Sequence, residues 1–108
     1  MQQSNLPSLT LEQKKKALQK AQDMRSRRKS VRERLKKGTM TLKQVLDGKN
    51  DEVLGKMRVA YLLASLPRIG KTTARKIMEE IGIDEARRVQ GLGKRQREAL
   101  LERLGARG

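Results

Sequence analysis

Apolar residues in this chain recur mostly at intervals of three, four and seven, and no window alternates with period two. The pattern therefore predicts helices and no strands. Thr10, with Gln13 three residues on, has the spacing of a capping box, and neither Gly nor Pro interrupts the chain from there to Lys37. Gly38 supplies the stop. Leu11, Leu18, Ala21, Met24, Val31 and Leu35 are sparse for so long a helix, and the stretch from Arg25 to Ser30 has no apolar residue. The first half has little to bury and is expected to stay mobile until an anion holds it. Val31 and Leu35 should dock on a core.

Leu6–Leu9 reads as an irregular lead-in. Thr41 and Gln44 repeat the capping box and open a short helix through Leu42, Val45 and Leu46, which Gly48 ends. Asn50 or Asp51 is expected to cap a turn containing Val53 and Leu54, with Gly55 behind it. Met57 to Leu66 is the densest apolar run and predicts a central helix that Pro67 terminates. Lys71 to Glu80 predicts the next helix, burying Ala74, Ile77, Met78 and Ile81, with Gly82 as its cap. Ile83 to Gln90 links, with Asp84 capping a single turn. Gly91-Leu92-Gly93 makes a second tight turn, and Lys94 to Leu104 closes the fold through Leu100, Leu101 and Leu104. The expected architecture is all-α: a basic N-terminal helical arm (1–37), a helical domain (38–104) and a short tail (105–108).

Charge narrows the function. The 108 residues allow one small domain with an extension. Lys and Arg number 27 against 12 acids, a net of +15, and residues 1–37 alone hold 12 basic and 3 acidic side chains. Such an excess opposes compaction unless a polyanion neutralises it, so DNA or RNA is the natural partner. A membrane-surface helix would want Trp or Phe, and the chain has neither. Tyr61 alone is aromatic, which also argues against reading single strands by stacking. Without Cys or His there is no zinc site, redox couple or imidazole base. No cofactor, small-molecule substrate or membrane partner is expected. Met1 to Leu11 lacks a signal peptide's apolar core and no run approaches membrane-spanning length, so the chain is expected to be cytoplasmic.

The segment Leu66-Pro67-Arg68-Ile69-Gly70-Lys71-Thr72-Thr73 carries the most chemistry. A tight turn followed at once by a helix start points unpaired amides and the positive helix end in one direction, which makes an anion site. Arg68, Lys71 and Arg75 flank it. Gly70 and Gly93 are expected to permit positive φ and close backbone approach. Gly70-Lys71-Thr72 also matches the end of an NTPase phosphate loop, but that motif needs glycine where Ser65 stands and follows a strand. The acid pairs Asp51-Glu52 and Glu79-Glu80 sit where carboxylates are ordinarily solvated, so no enzyme is expected.

The turn resembles hairpin-type DNA-binding motifs in its Leu63, Leu66, Pro67, Ile69, Gly70, Ala74 and Ile77. Arg68 departs from it, standing where the simplest version has its first glycine. Arg87-Arg88-Val89-Gln90-Gly91-Leu92-Gly93-Lys94 repeats the arrangement, and the two together look like a helix-two-turns-helix module. Ribosomal small-subunit proteins and formamidopyrimidine-type glycosylases share that module. The glycosylase reading fails, since those enzymes need an N-terminal proline nucleophile and this chain opens Met1-Gln2-Gln3-Ser4. A structured-RNA or ribosome-associated role stands as the alternative.

A closer likeness covers Leu9 to Leu104. Asp51-Glu52-Val53-Leu54-Gly55-Lys56-Met57, Leu66 to Lys71, Arg87 to Gly93 and Arg95-Gln96-Arg97 resemble the actinobacterial integration host factor family. The resemblance implies a nucleoid-associated protein that binds duplex DNA with little sequence preference, bends or compacts it and assists recombination, with a phage integrase complex as a further partner. It implies that Arg68, Gly70 and Lys71 belong to a first phosphate clamp and Arg87, Arg88, Gly91 and Gly93 to a second. Gln90 stands where members often have arginine. On the arm, Arg25, Arg27, Arg28, Lys29, Arg32 and Lys36 are the expected DNA contacts, and the chain is expected to be a monomer in solution.

Overall fold

The computed structural model describes residues 10–105, so the expected lead-in at Leu6–Leu9 and most of the expected tail lie outside the described residues. Five helices follow one another: α1 (Leu11–Lys37), α2 (Leu42–Asp47), α3 (Val59–Leu63), α4 (Lys71–Ile81) and α5 (Lys94–Leu104). No strand occurs among the described residues.

α1 starts as its sequence predicts. The Thr10 hydroxyl accepts from the Gln13 N–H at 3.1 Å, and the Gln13 side chain accepts from the Thr10 N–H at 2.9 Å. Gly38 ends the helix in the left-handed conformation, φ 79°. Its two halves differ in burial. Leu11 and Leu18 are 72% and 58% exposed, Met24 is the first side chain to pack against the core, and Val31 and Leu35 are buried in it. At 27 residues α1 is roughly 40 Å long and sets much of the 54 Å length of the molecule.

α2 opens with the second capping box and buries Leu42, Val45 and Leu46. Asp51 is the capping residue after it, and not Asn50: its carboxylate accepts from the N–H groups of Val53 at 2.7 Å and Leu54 at 2.9 Å. This starts a 3₁₀ turn, Leu54–Lys56, with Gly55 inside it and not behind it. A Cβ on Gly55 would stand 2.2 Å from the Lys49 carbonyl oxygen, so the backbones meet there only because glycine has no side chain.

The predicted central helix over Met57–Leu66 is half that length. Met57 and Arg58 are extended, because Val89 N–H donates to the Met57 carbonyl and Val59 N–H to the Arg87 carbonyl, both at 3.0 Å. That antiparallel bridge, Arg58 to Arg88, pairs two segments thirty residues apart, beyond the reach of local periodicity. Beyond Leu63 the chain tightens into turns: Ser65 and Leu66 N–H donate to Leu62 and Leu63 carbonyls at 3.1 Å, as suits residues leading into Pro67. α3 packs on α4, and α5 lies against α2 and α4 around Leu62, Leu63, Met78 and Leu100. Arg97 of α5 pairs with Asp47 of α2.

Candidate nucleic-acid interface

Leu66 and Ile69 are buried and pin the first turn to the core, so their side chains anchor it and do not face outward as a contact would. Pro67, Arg68 and Gly70 are exposed between and after them. The left-handed residue of the turn is Arg68, φ 67°, the only such non-glycine among the described residues. This corrects the expectation for the glycines: Gly70 has φ −96° and Gly93 φ −74°. Arg68 thus occupies the place of the hairpin motif's first glycine and adopts the conformation for which glycine is suited.

Gly70 caps α4 with no side-chain hydrogen bond, and a Cβ built on it meets nothing within 4 Å. Its glycine character therefore keeps the space before the helix open and is not demanded by the turn. The first intrahelical bond runs from Ala74 N–H to the Gly70 carbonyl at 2.9 Å. The N–H groups of Lys71, Thr72 and Thr73 precede it and have no helical partner. Their side chains are exposed too, so these donors face solvent at a positive helix end. Arg75, one turn further, is already paired with Glu85, Nε to Oε1 at 2.7 Å.

The second turn is closed on itself. Gln96 Oε1 accepts from Gly93 N–H at 3.0 Å, while Gln96 Nε2 donates to the Gly82 carbonyl at 3.1 Å. Arg87 Nη1 donates to the Gly91 carbonyl at 3.2 Å. Leu92 is half-buried, whereas Arg88, Gln90, Gly91 and Lys94 are exposed. The bridge between Arg58 and Arg88 holds this turn beside the start of α3.

The arm residues do not share one face. Arg28 lines a hollow with Lys56, Arg58, Tyr61 and Arg88, and Arg32 lines a second one with Arg58, Tyr61, Lys71, Arg75 and Glu85. Lys29 and Lys36 flank Arg32 on the next groove, above Ala64 and Ser65. Arg27 lies on the other flank of α1, beside Asp51, Met40 and Leu54, and is away from the turns. Arg25 is exposed and lines none of these hollows.

Three participants escaped the sequence reading. Arg58 lies beside both turns because the bridge extends what looked like helix, and Lys56, the last residue of the 3₁₀ turn, lines the hollow that Arg88 of the second turn shares. Tyr61 is the platform that ties α1 to the module. The Arg32 guanidinium lies 3.9 Å from its ring centroid, Nη1 donates to Tyr61 Oη at 2.6 Å, and Nε donates to Ser65 Oγ at 3.1 Å. Ser65 in turn donates to the Tyr61 carbonyl at 2.9 Å. A lone aromatic residue four positions before a buried serine was the available signal.

Two carboxyls have lowered pKa values, neither on this face. The Leu54 and Val53 N–H groups hold Asp51 below its usual range, and the Arg103 hydrogen bond does the same for Glu80. Among the described residues no cluster of His, Cys, Asp or Glu could hold a metal ion, and no helix is long and apolar enough to cross a membrane.

Residues 35–104 match the family of the S13-like H2TH domain, which spans both turns. Over 102 residues the chain is 52% identical to the integration host factor of Mycobacterium tuberculosis, covering 94% of this chain and 97% of the relative. The chain belongs to the actinobacterial integration host factor family. Its similarity to the integration host factor of Mycolicibacterium smegmatis is 54% over 100 residues, covering 92% and 95% of the two chains. For that of Streptomyces coelicolor it is 46% over 104 residues, covering 95% and 97%. A solved structure of sIHF bound to an 8 bp palindromic DNA has the same fold, with a TM-score of 0.78 and 44% identity, covering 81% of this chain and 99% of that one.

Proposed function

We propose that this chain is a non-catalytic, nucleoid-associated architectural protein that binds duplex DNA through its phosphates with little sequence preference. The observation that carries the reading is the uncapped start of α4 behind Gly70, flanked by Arg68 and Lys71, on the face where Arg28, Arg32, Lys56, Arg58 and Arg88 gather. Backbone amides and cations recognise phosphate and carry no sequence information. The DNA held by its sIHF relative supports duplex DNA as the partner. A cationic face built from both α1 and the module suits bending or compaction of the duplex, and through these, assistance to a recombinase such as a phage integrase. The protein acts as a monomer in the nucleoid.

The S13-like character of the module keeps structured RNA as the second reading. One titration separates the two, with labelled duplex DNA challenged by unlabelled duplex DNA, single-stranded DNA and duplex RNA. Duplex DNA should compete best, and scrambling its sequence should change affinity by less than about tenfold. Better competition by duplex RNA would transfer the function to RNA, and a thousandfold sequence preference would contradict phosphate-based recognition.

A further inference from the structure

The hollow of about 300 Å³ beside the first turn is lined by Arg32, Arg58, Lys71 and Arg75, with Ala60, Ala64 and Met78 as its floor. A phosphate clamp calls for the cations. It does not call for Glu85, the one acid on this wall. Glu85 comes from the connector between α4 and the second turn and meets Arg75 Nε at 2.7 Å, with both side chains about two-thirds exposed, 65% and 67%. Lys71 and Arg75 lie four residues apart on α4, hence on one face, where they repel each other. A carboxylate among these cations relieves that repulsion and takes the position that a phosphate oxygen would take.

We infer that Glu85 is an internal competitor for phosphate: it holds the Arg75 guanidinium over the hollow in the free protein and gives way to the DNA backbone on binding. This rests on the duplex-DNA reading above. An exposed ion pair gains little in water and is readily exchanged for another, so Glu85 does not block the site. Its negative charge nevertheless opposes every phosphate brought into the hollow, lowering affinity in a chain of net +15 and speeding release. Arg75 is therefore a contact that comes into use only when Glu85 is displaced.

The test compares Glu85→Gln with Asp84→Asn, which removes one negative charge from the neighbouring exposed residue outside the hollow. Glu85→Gln should raise duplex affinity about two- to fivefold and steepen the dependence of log K on log salt by about one. Asp84→Asn should change affinity by less than about twofold, and melting curves should match the wild type. In a double-mutant cycle, Arg75→Ala should cost more affinity in the Glu85→Gln background than in the wild type. Equal effects of Glu85→Gln and Asp84→Asn, weaker binding by Glu85→Gln, or no coupling to Arg75 would overturn the inference alone. A wild-type chain that bound no duplex would overturn the parent reading and this inference with it.

Discussion

At the first turn Lys71 begins α4 behind a glycine that no side chain caps, while at the second Lys94 begins α5 behind a glycine whose N–H is held by Gln96. The two turns echo each other in sequence, but their polar groups are differently engaged. Neither Arg68 nor Lys71 pairs with an acid among the described residues, whereas Arg87 is tied to the Gly91 carbonyl. The difference follows from the third helical residue: Gln96 reaches back to the glycine amide, and Thr73 in the matching place does not. The first turn thus leaves its glycine amide and both of its cations without a partner among the described residues, although the first amides of both helices are open. The second is built to hold the module together and offers Arg88 and Lys94 from its surface.

The largest effect should come from where the second turn is seated. Gly55→Ala would drive a Cβ to 2.2 Å from the Lys49 carbonyl and toward Gln90, displacing the 3₁₀ turn on which the second turn rests. We expect a loss of about 2–3 kcal/mol in denaturant unfolding. An unchanged melt would mean that the second turn does not depend on this contact.

At the first turn, stability and binding should part company. Arg68→Gly removes a left-handed non-glycine residue and should stabilise the fold by about 1 kcal/mol, while losing one phosphate contact. If it destabilises the fold, the Arg68 side chain contributes packing that its exposure does not suggest. Gly70→Ala sharpens the contrast, because the space around it is empty and its φ is negative. Its melt should be within about 0.5 kcal/mol of the wild type, yet duplex binding should fall severalfold, since the methyl group stands before the helix amides. Unimpaired binding would show that no phosphate approaches there.

Much of this was legible in the chain, and the exceptions share a cause. Both capping boxes, the glycine stops and most of the buried faces of α2, α4 and α5 depend on residues within one or two turns and appear where the spacing placed them, except that Ile81 and Leu101, expected in the core, are only half-buried at its edge. The cations at the first turn were legible for the same reason. The shortened central helix, Arg58 between the turns and the Arg75–Glu85 pair all depend on partners ten or thirty residues away. The division of the arm between two flanks depends on how α1 is rotated when Val31 and Leu35 dock, which puts Arg28 and Arg32 on one side and Arg27 on the other.

The smallest effect concerns acid. Asp51 caps through its carboxylate and has a lowered pKa in the folded chain, so its contribution is fully present above the ordinary aspartate range. It is lost as pH falls from about 4 through the lowered value. Because Asp51 is exposed, the slope should be slight, and Asp51→Asn should flatten it without altering duplex binding at pH 7. Melting curves between pH 3 and 7 measure this, and a steeper acid slope in Asp51→Asn would contradict the cap.

The division of labour between the turns is tested most directly by the salt dependence of duplex binding in two double variants. If roughly 6 to 8 phosphates are contacted, the wild-type slope of log K against log salt should be about −5 to −7. Arg68→Ala with Lys71→Ala should reduce its magnitude by about two and leave the melt unchanged, whereas Arg87→Ala with Arg88→Ala should reduce it by about one and lower the melting temperature. A first-turn double variant that kept the full wild-type slope and affinity would contradict the account, because the amides and cations of that turn would then hold no phosphate.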